Sequence, residues 1–119
     1  MVPNTKELTA KKCQPCGQGA ISFSRAQAQE YLVQLPGWAL ADDGKSISQL
    51  YVMKDFLAAV QLISQIAQVA ESEDHHPDIH LTGYRKLKID LSTHALGGLS
   101  ENDFIVAAKI NALPVELKS

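Results

Sequence analysis

The sequence contains no apolar run that approaches the roughly 18 consecutive residues of a transmembrane helix. It also lacks a large excess of charge of either sign, because eleven basic and thirteen acidic residues leave a formal net charge of −2. A basic surface that attracts nucleic acid or anionic lipid is therefore not expected. Residues 1–18 are polar and lack the apolar segment of a secretory signal. These absences predict a cytoplasmic protein with no nucleic-acid partner and no membrane partner.

Several catalytic and metal-binding motifs are also missing. The chain has no glycine-rich phosphate loop, no dinucleotide fingerprint and no serine or cysteine nucleophile elbow. Its two cysteines, Cys13 and Cys16, form a single Cys-x-x-Cys pair with polar flanks. Such a pair is half a zinc site, a redox pair or a local disulfide, and no second cysteine pair completes a zinc site. We expect no catalytic role for these cysteines.

The composition suits one folded domain: of 119 residues, 45% are hydrophobic and 20% are charged. Residues 1–21 are poor in apolar side chains and predict a loosely attached N-terminal extension, whereas residues 22–119 predict the domain itself. Three helix starts are marked by their capping residues. Ser24–Gln27 and Ser100–Asp103 have capping-box spacing, and Asp55 is a good N-cap.

Hydrophobic periodicity predicts helices and strands in alternation. Helices are expected from Ser24 to the Pro36-Gly37 stop, over Phe56–Ser72 and over Glu101–Asn111, and strands over Trp38–Ala41, Ser46–Met53, Asp78–Tyr84 and Lys86–Leu91. The order α-β-β-α-β-β-α predicts an α+β two-layer sandwich, in which a four-stranded antiparallel sheet carries three helices on one face. An exposed edge strand of such a sheet favours pairing into an oligomer.

The longest helix has two apolar stripes. The first stripe comprises Phe56, Val60, Ile63, Ala67 and Ala70, and the second comprises Ala59, Leu62, Ile66 and Val69. Two stripes predict a helix that is covered on a wide face, as expected where it lies across a sheet.

Titratable side chains concentrate in two places. Residues 71–77 read Glu-Ser-Glu-Asp-His-His-Pro, and Thr93-His94 follow the last strand. Histidine exchanges protons near neutral pH, so it can serve as an acid in one step and a base in the next. Because the second hairpin runs away from this segment and back, it should return His94 to the neighbourhood of His75 and His76. The three imidazoles are therefore predicted to share one cleft.

Simpler interpretations of these residues stand beside this one. An isolated His-His pair is usually a solvated surface feature, and adjacent helical side chains point about 100° apart, which suits a single zinc ion poorly. We therefore predict no metal site. Asp103 is most simply the capping partner of the last helix. Glu71 and Asp74 fit the polar end of a helix, although carboxylates there oppose the helix dipole.

The chain resembles the pterin-4a-carbinolamine dehydratase family, in its bacterial or plant-type branch. The matching motifs are Glu71-x-x-x-His75-His76-Pro77, Tyr84, Thr93-His94, Gly98-Leu99-Ser100 and Asp103, within a resemblance that covers about residues 36–111. The resemblance implies dehydration of 4a-hydroxytetrahydropterin to quinonoid dihydropterin, which recycles the pterin cofactor of aromatic amino acid hydroxylases. It also implies that no metal or dissociable cofactor is required, and that the protein is a homodimer or homotetramer.

The resemblance further implies roles for individual residues. The expected catalytic residues are His75, His76 and His94. The expected pterin-binding residues are Asp74, His75, His76, Ser92, Thr93, His94 and Ala95, and the expected supporting residues are Glu71, Pro77 and Asp103. Because the C4a hydroxyl leaves readily only as water, one imidazolium, assigned to His76, should protonate it. A neutral imidazole, His75 or His94, then takes the ring N–H proton.

Rival functions remain open at the sequence level. Some branches of the family act on other pterins, including those of molybdenum-cofactor metabolism. Animal members also act as dimerisation cofactors of a homeodomain transcription factor, so a non-catalytic binding module with an exposed apolar helix face is a second hypothesis. A zinc protein that uses Cys13, Cys16 and histidines is a third and weaker one.

Overall fold

A computed structural model describes residues 3–14 and 22–119. Its helices are α1 (Thr5–Ala10), α2 (Arg25–Leu32), α3 (Phe56–Glu73) and α4 (Glu101–Asn111), and its strands are β1 (Ala39–Leu40), β2 (Ile47–Val52), β3 (Asp78–Thr82) and β4 (Lys86–Leu91). A short 3-10 helix, His94–Leu96, lies between β4 and α4. The strands form one antiparallel sheet in the order β1-β2-β4-β3. The predicted α+β class and four-stranded antiparallel sheet are confirmed, with α1 as an additional helix.

The alternation of side chains along β4 sets which face of the sheet is buried. Leu87, Ile89 and Leu91 are fully buried, whereas Lys86 and Lys88 between them are exposed. Side chains of a strand point alternately to opposite faces, so this pattern places the core on one side of the sheet only. The predicted bounds of this strand and its inward residues are confirmed.

The second of the two predicted apolar stripes of α3 packs against the core, whereas the first stripe is covered only in part. Leu62 and Ile66, of the second stripe, are at most 2% exposed. Phe56 and Val60, of the first stripe, are 55% and 42% exposed. Further along the first stripe, Ile63 packs partly buried against the core and Ala70 is 3% exposed. The expectation of a wide covered face is therefore wrong at Phe56 and Val60, in the first two turns of the helix, where the described residues leave this side open. The N-cap prediction is confirmed, since Asp55 accepts a hydrogen bond from the backbone N–H of Ala58 at 2.8 Å.

The N-terminal residues 3–14 are attached to the rest of the fold. A capping box between Asn4 and Glu7 starts α1, which packs against α4 and buries Leu8 completely in the core. Burial of a leucine side chain stabilises a fold by about 1.5–3 kcal/mol. The expectation of loose attachment is wrong for these residues. The division into an extension over residues 1–21 and a domain over residues 22–119 stays a prediction.

The capping boxes predicted at Ser24 and Ser100 are both present at the starts of α2 and α4. These caps fix the points at which the chain enters each helix, because they satisfy backbone donors that the helix itself leaves unpaired. Within the described ranges, no helix has the length and apolar character needed to cross a membrane.

Candidate active site

The exit of α3 directs its two histidines differently. Asp74 ends the helix in the left-handed conformation, with φ 51° and ψ 42°, and the N–H of His75 donates to the carbonyl of Ala70 at 3.1 Å. This arrangement is a common way to end a helix and turn the chain sharply. The side chain of His75 is consequently 12% exposed, whereas that of His76 is 54% exposed.

The second hairpin returns the chain to the same place. Asp78 of β3 pairs with Asp90 of β4, so the start of one strand lies beside the end of the other. Beyond β4, the backbone of Thr93 exchanges hydrogen bonds with that of Gly98 and closes a short loop. The 3-10 helix in this loop carries His94, which is exposed.

A cavity of about 340 Å³ lies where these segments meet. A volume of this size falls within the range of small-molecule sites. Its lining comprises Asp74, His75, His76, Ser92, Thr93, His94 and Ala95, together with Gln14 and Asn102. The structure thus brings together all three histidines proposed to act in catalysis and every residue proposed to bind pterin. Their roles in catalysis and binding stay predictions.

Asp103 contacts two of the residues that line this cavity, His75 and Thr93. Its side chain is fully buried, and its Oδ1 lies 2.7 Å from Nε2 of His75. Its Oδ2 accepts hydrogen bonds from the Thr93 hydroxyl at 2.8 Å and from the N–H of Ser100 at 3.0 Å. A carboxylate only accepts, so Nε2 of the imidazole carries the hydrogen and Nδ1 is left with a lone pair. Asp103 therefore caps α4 and also orients His75.

The remaining predicted residues lie at the rim or outside the cavity. Glu71 Oε2 is 2.5 Å from Nε2 of His76, and both side chains are more than half exposed, so solvent screens the pair. Pro77 separates the His pair from β3 and does not line the cavity. Tyr84 of the family motif is 57% exposed at the turn of the second hairpin, at the other end of its strands.

Two lining residues, Gln14 and Asn102, were not predicted from the sequence. The side chain of Asn102 accepts a hydrogen bond from the N–H of Gln14 at 3.0 Å and donates one to its carbonyl oxygen at 2.6 Å. The position of Asn102 beside Asp103 was a signal that could have pointed to it. Gln14 lies inside the Cys13–Cys16 motif, but the motif does not point to the cavity, because the approach of Gln14 to the site depends on how the N-terminal segment folds back.

Cys13 lies near the site but is unsuited to thiolate chemistry. Burial and the nearby Glu73 carboxylate raise the pKa of the Cys13 thiol to about 12. Thiolate is the reactive and metal-binding form of cysteine, so this thiol stays protonated near neutral pH. Cys16 lies outside the described residues. Among residues 3–14 and 22–119, no three His, Cys, Asp or Glu side chains are grouped so that they could hold a metal ion.

Comparisons with known proteins find similarity to one family. A family model described as pterin 4 alpha carbinolamine dehydratase matches residues 22–113. The chain is 43% identical to the mitochondrial pterin-4-alpha-carbinolamine dehydratase 2 of Arabidopsis thaliana over 92% of its own length and 60% of that protein. It therefore spans less than two thirds of this plant relative.

Two further proteins show the same similarity over nearly their whole length. A Halorhodospira halophila protein, provisionally named pterin-4-alpha-carbinolamine dehydratase, is 44% identical over 89% of this chain and 96% of its own. A crystal structure titled transcriptional coactivator/pterin dehydratase, from Brucella melitensis, superposes with a TM-score of 0.72 and 33% identity. That superposition covers 76% of this chain and 96% of the other.

Proposed function

Because the chain belongs to the pterin 4 alpha carbinolamine dehydratase family, we propose that it removes water from 4a-hydroxytetrahydropterin and releases quinonoid dihydropterin. One observation carries the proposal: His75, His76 and His94 line a single cavity of about 340 Å³. An acid and a base that reach one small-molecule cavity are what this elimination requires.

His75 is the general base of this proposal. Its Nε2 faces the buried carboxylate of Asp103 at 2.7 Å, so its Nδ1 has the lone pair that can accept a proton. A carboxylate behind an imidazole fixes the ring's tautomer and stabilises the imidazolium that forms. In the proposed reaction, His75 takes the ring N–H proton. Of the two bases considered from the sequence, His75 and His94, the Asp103 contact favours His75.

His76 is the general acid. Its side chain is more exposed than that of His75, and Glu71 Oε2 lies 2.5 Å from its Nε2. The proton of its imidazolium passes to the C4a hydroxyl, the C4a–O bond breaks, and water leaves while the ring nitrogen's electron pair forms the new C=N bond. His94, on the 3-10 helix that follows β4, is the third imidazole that lines the cavity.

The test is the decay of 4a-hydroxytetrahydropterin, generated by an aromatic amino acid hydroxylase and followed by its ultraviolet absorbance. Wild-type protein should accelerate the decay, and His75→Ala or His76→Ala should each slow it by about 100-fold or more, the usual contribution of general acid–base catalysis. His80→Ala is the matched control, because His80 is exposed on the outer face of the sheet, 3.0 Å from Asp90. An unaccelerated decay with folded wild-type protein would rule the proposal out.

We also propose the finer parts of the family's biology for this chain. These are recycling of the cofactor of aromatic amino acid hydroxylases, a cytoplasmic location and assembly into a homodimer or homotetramer. The apolar residues left exposed on α3, Phe56, Leu57 and Val60, support assembly, because an exposed apolar patch commonly marks an interface.

A further inference from the structure

We propose that Gln14 is a further substrate-contacting residue, which the N-terminal segment supplies to the cavity. This inference rests on the proposed function and adds one contact to it. Gln14 lines the same cavity as His75, His76 and His94. The family model starts at residue 22, so the match itself carries no information on this side chain.

Two buried polar side chains hold the backbone at Gln14. Asn102, 8% exposed, bonds to both the N–H and the carbonyl oxygen of Gln14, at 3.0 and 2.6 Å. Glu73, whose side chain is 3% exposed, accepts the N–H of Cys13 at 2.8 Å and the ammonium of Lys109 at 2.6 Å. Leaving buried groups of this kind unpaired costs about 1–3 kcal/mol each, so the segment is firmly fixed.

Both anchors are sequence neighbours of the proposed catalytic groups. Glu73 directly precedes Asp74 and His75 at the end of α3, and Asn102 directly precedes Asp103 in the first turn of α4. The N-terminal segment therefore crosses the seam between these two helix ends, the same seam that brings His75 to Asp103. The end of α3 and the start of α4 therefore position both His75 and the part of the cavity lining that Gln14 forms.

The carboxamide of Gln14 suits the proposed substrate. It carries one acceptor oxygen and two donor hydrogens, whereas the pyrimidine edge of a pterin presents a carbonyl oxygen, a ring nitrogen and an exocyclic amine. Gln14 is exposed, and within residues 3–14 and 22–119 the hydrogen bond that its Nε2 donates is a long one, of 3.4 Å, to the carbonyl of Lys12. The ring nitrogen and the exocyclic amine of this edge lie away from C4a. A contact to them binds substrate and transition state alike, so it should affect KM and not kcat.

The experiment compares Gln14→Ala with wild-type protein in the dehydration assay and in equilibrium binding of an unreactive 7,8-dihydropterin. Loss of one hydrogen bond, worth about 1 kcal/mol, should raise KM and the Kd of the dihydropterin about 5-fold and leave kcat unchanged. Gln29→Ala, at an exposed site on α2, should change neither. Unchanged KM and Kd in Gln14→Ala would overturn the inference.

Failure of the proposed dehydratase function would look different. Wild-type protein would then neither bind the dihydropterin nor accelerate the decay, and both proposals would fall.

Asn102 is a positioning residue in this scheme. Asn102→Ala should raise KM in the wild-type background and add little in the Gln14→Ala background, because the contact it positions is already gone. Independent, additive effects on KM would contradict that role for Asn102.

Discussion

At the scale of single residues, Asp103 joins two tasks that the sequence suggests only one at a time. Its spacing from Ser100 identifies it as a capping residue, and the structure confirms that contact at 3.0 Å. The second carboxylate oxygen, however, faces His75. One carboxylate of a capping residue can therefore do two things: one oxygen caps the helix, and the other orients a side chain from a distant part of the sequence.

Replacement of Asp103 by asparagine should greatly reduce activity while the fold persists. An amide has a single acceptor oxygen, and the Ser100 N–H and the Thr93 hydroxyl both donate to the Oδ2 position. The amide NH₂ would then face His75 and force the hydrogen of its ring onto Nδ1, which could no longer accept a proton. We expect kcat to fall about 100-fold or more.

Urea unfolding of Asp103→Asn should show a loss in the free energy of unfolding of about 1–3 kcal/mol, because the hydrogen bonds to this buried side chain lose their charge assistance. Asp42→Asn, in the exposed turn between β1 and β2, is the matched control and should behave as wild type. Full activity in a folded Asp103→Asn protein would contradict the role of Asp103 in setting the tautomer of His75.

At the scale of elements, the exit of α3 depends on a left-handed residue that is not glycine. Asp74 has φ 51°, a conformation that costs most side chains about 1–2 kcal/mol and glycine very little. Asp74→Val should therefore be less stable than Asp74→Gly by about 1–2 kcal/mol, measured as the difference in their free energies of unfolding in urea.

The neighbouring Ser72 provides the control for this comparison. It is exposed but still helical, so there glycine should be the more destabilising of the two substitutions. At residue 74 the glycine variant should thus be more stable than the valine variant, and at residue 72 the valine variant should be the more stable of the two. The same order at both sites would show that the left-handed exit does not contribute to the stability of the turn that presents His75.

The seam between α3 and α4 should make stability depend on acid pH. Burial opposes ionisation of Glu73, but hydrogen bonds from Lys109 and from the N–H of Cys13 hold the pKa of its carboxyl below the ordinary value of 4.5. A group with a depressed folded-state pKa stabilises the fold above its unfolded pKa and loses that contribution as the pH falls through the folded value. Its contribution is therefore complete at neutral pH and fades below about pH 4.5.

Glu73→Gln should accordingly show a shallower loss of stability than wild type below that pH, in urea titrations at a series of pH values. At pH 7 it should be less stable by about 3–5 kcal/mol, because it leaves the ammonium of Lys109 without its carboxylate. A Glu73→Gln/Lys109→Met double variant should recover part of this loss and keeps the test usable if the single variant unfolds. Glu30→Gln, exposed on α2, is the control. Parallel pH profiles for Glu73→Gln and wild type would refute the assignment.

Helices and strands could be predicted from the sequence where a local residue pattern determines them. The alternation in β4 and the capping residues of α2, α3 and α4 depend on neighbours in sequence, and all are confirmed. The helix α1 was missed, although Asn4 and Glu7 have capping-box spacing, because six residues with few apolar side chains give a weak helical signal. Contacts that depend on tertiary packing, such as Asn102 with Gln14, have no local signature.

At the scale of the whole molecule, the open side of α3 explains why its periodicity was misread. An apolar stripe predicts burial but does not say by what. The described residues do not cover the start of the first stripe of α3, where Phe56 is 55% exposed and Val60 42%. The adjacent Leu57 is 64% exposed. A second copy of the chain would bury this surface by the same hydrophobic gain that the core residues obtain.

Val60→Lys should therefore dissociate the assembly without unfolding the chain. Lysine favours a helix at least as well as valine, so the effect is confined to the surface, where a charge would have to be buried without a partner. Light scattering coupled to gel filtration should give a dimer or tetramer for wild type and a smaller species for Val60→Lys, whereas Gln29→Lys on α2 should match wild type. A monomeric wild type, or an unchanged mass for Val60→Lys, would exclude this surface as the interface. Because one chain supplies every residue that lines the described cavity, the dissociated variant should retain its dehydratase turnover per chain.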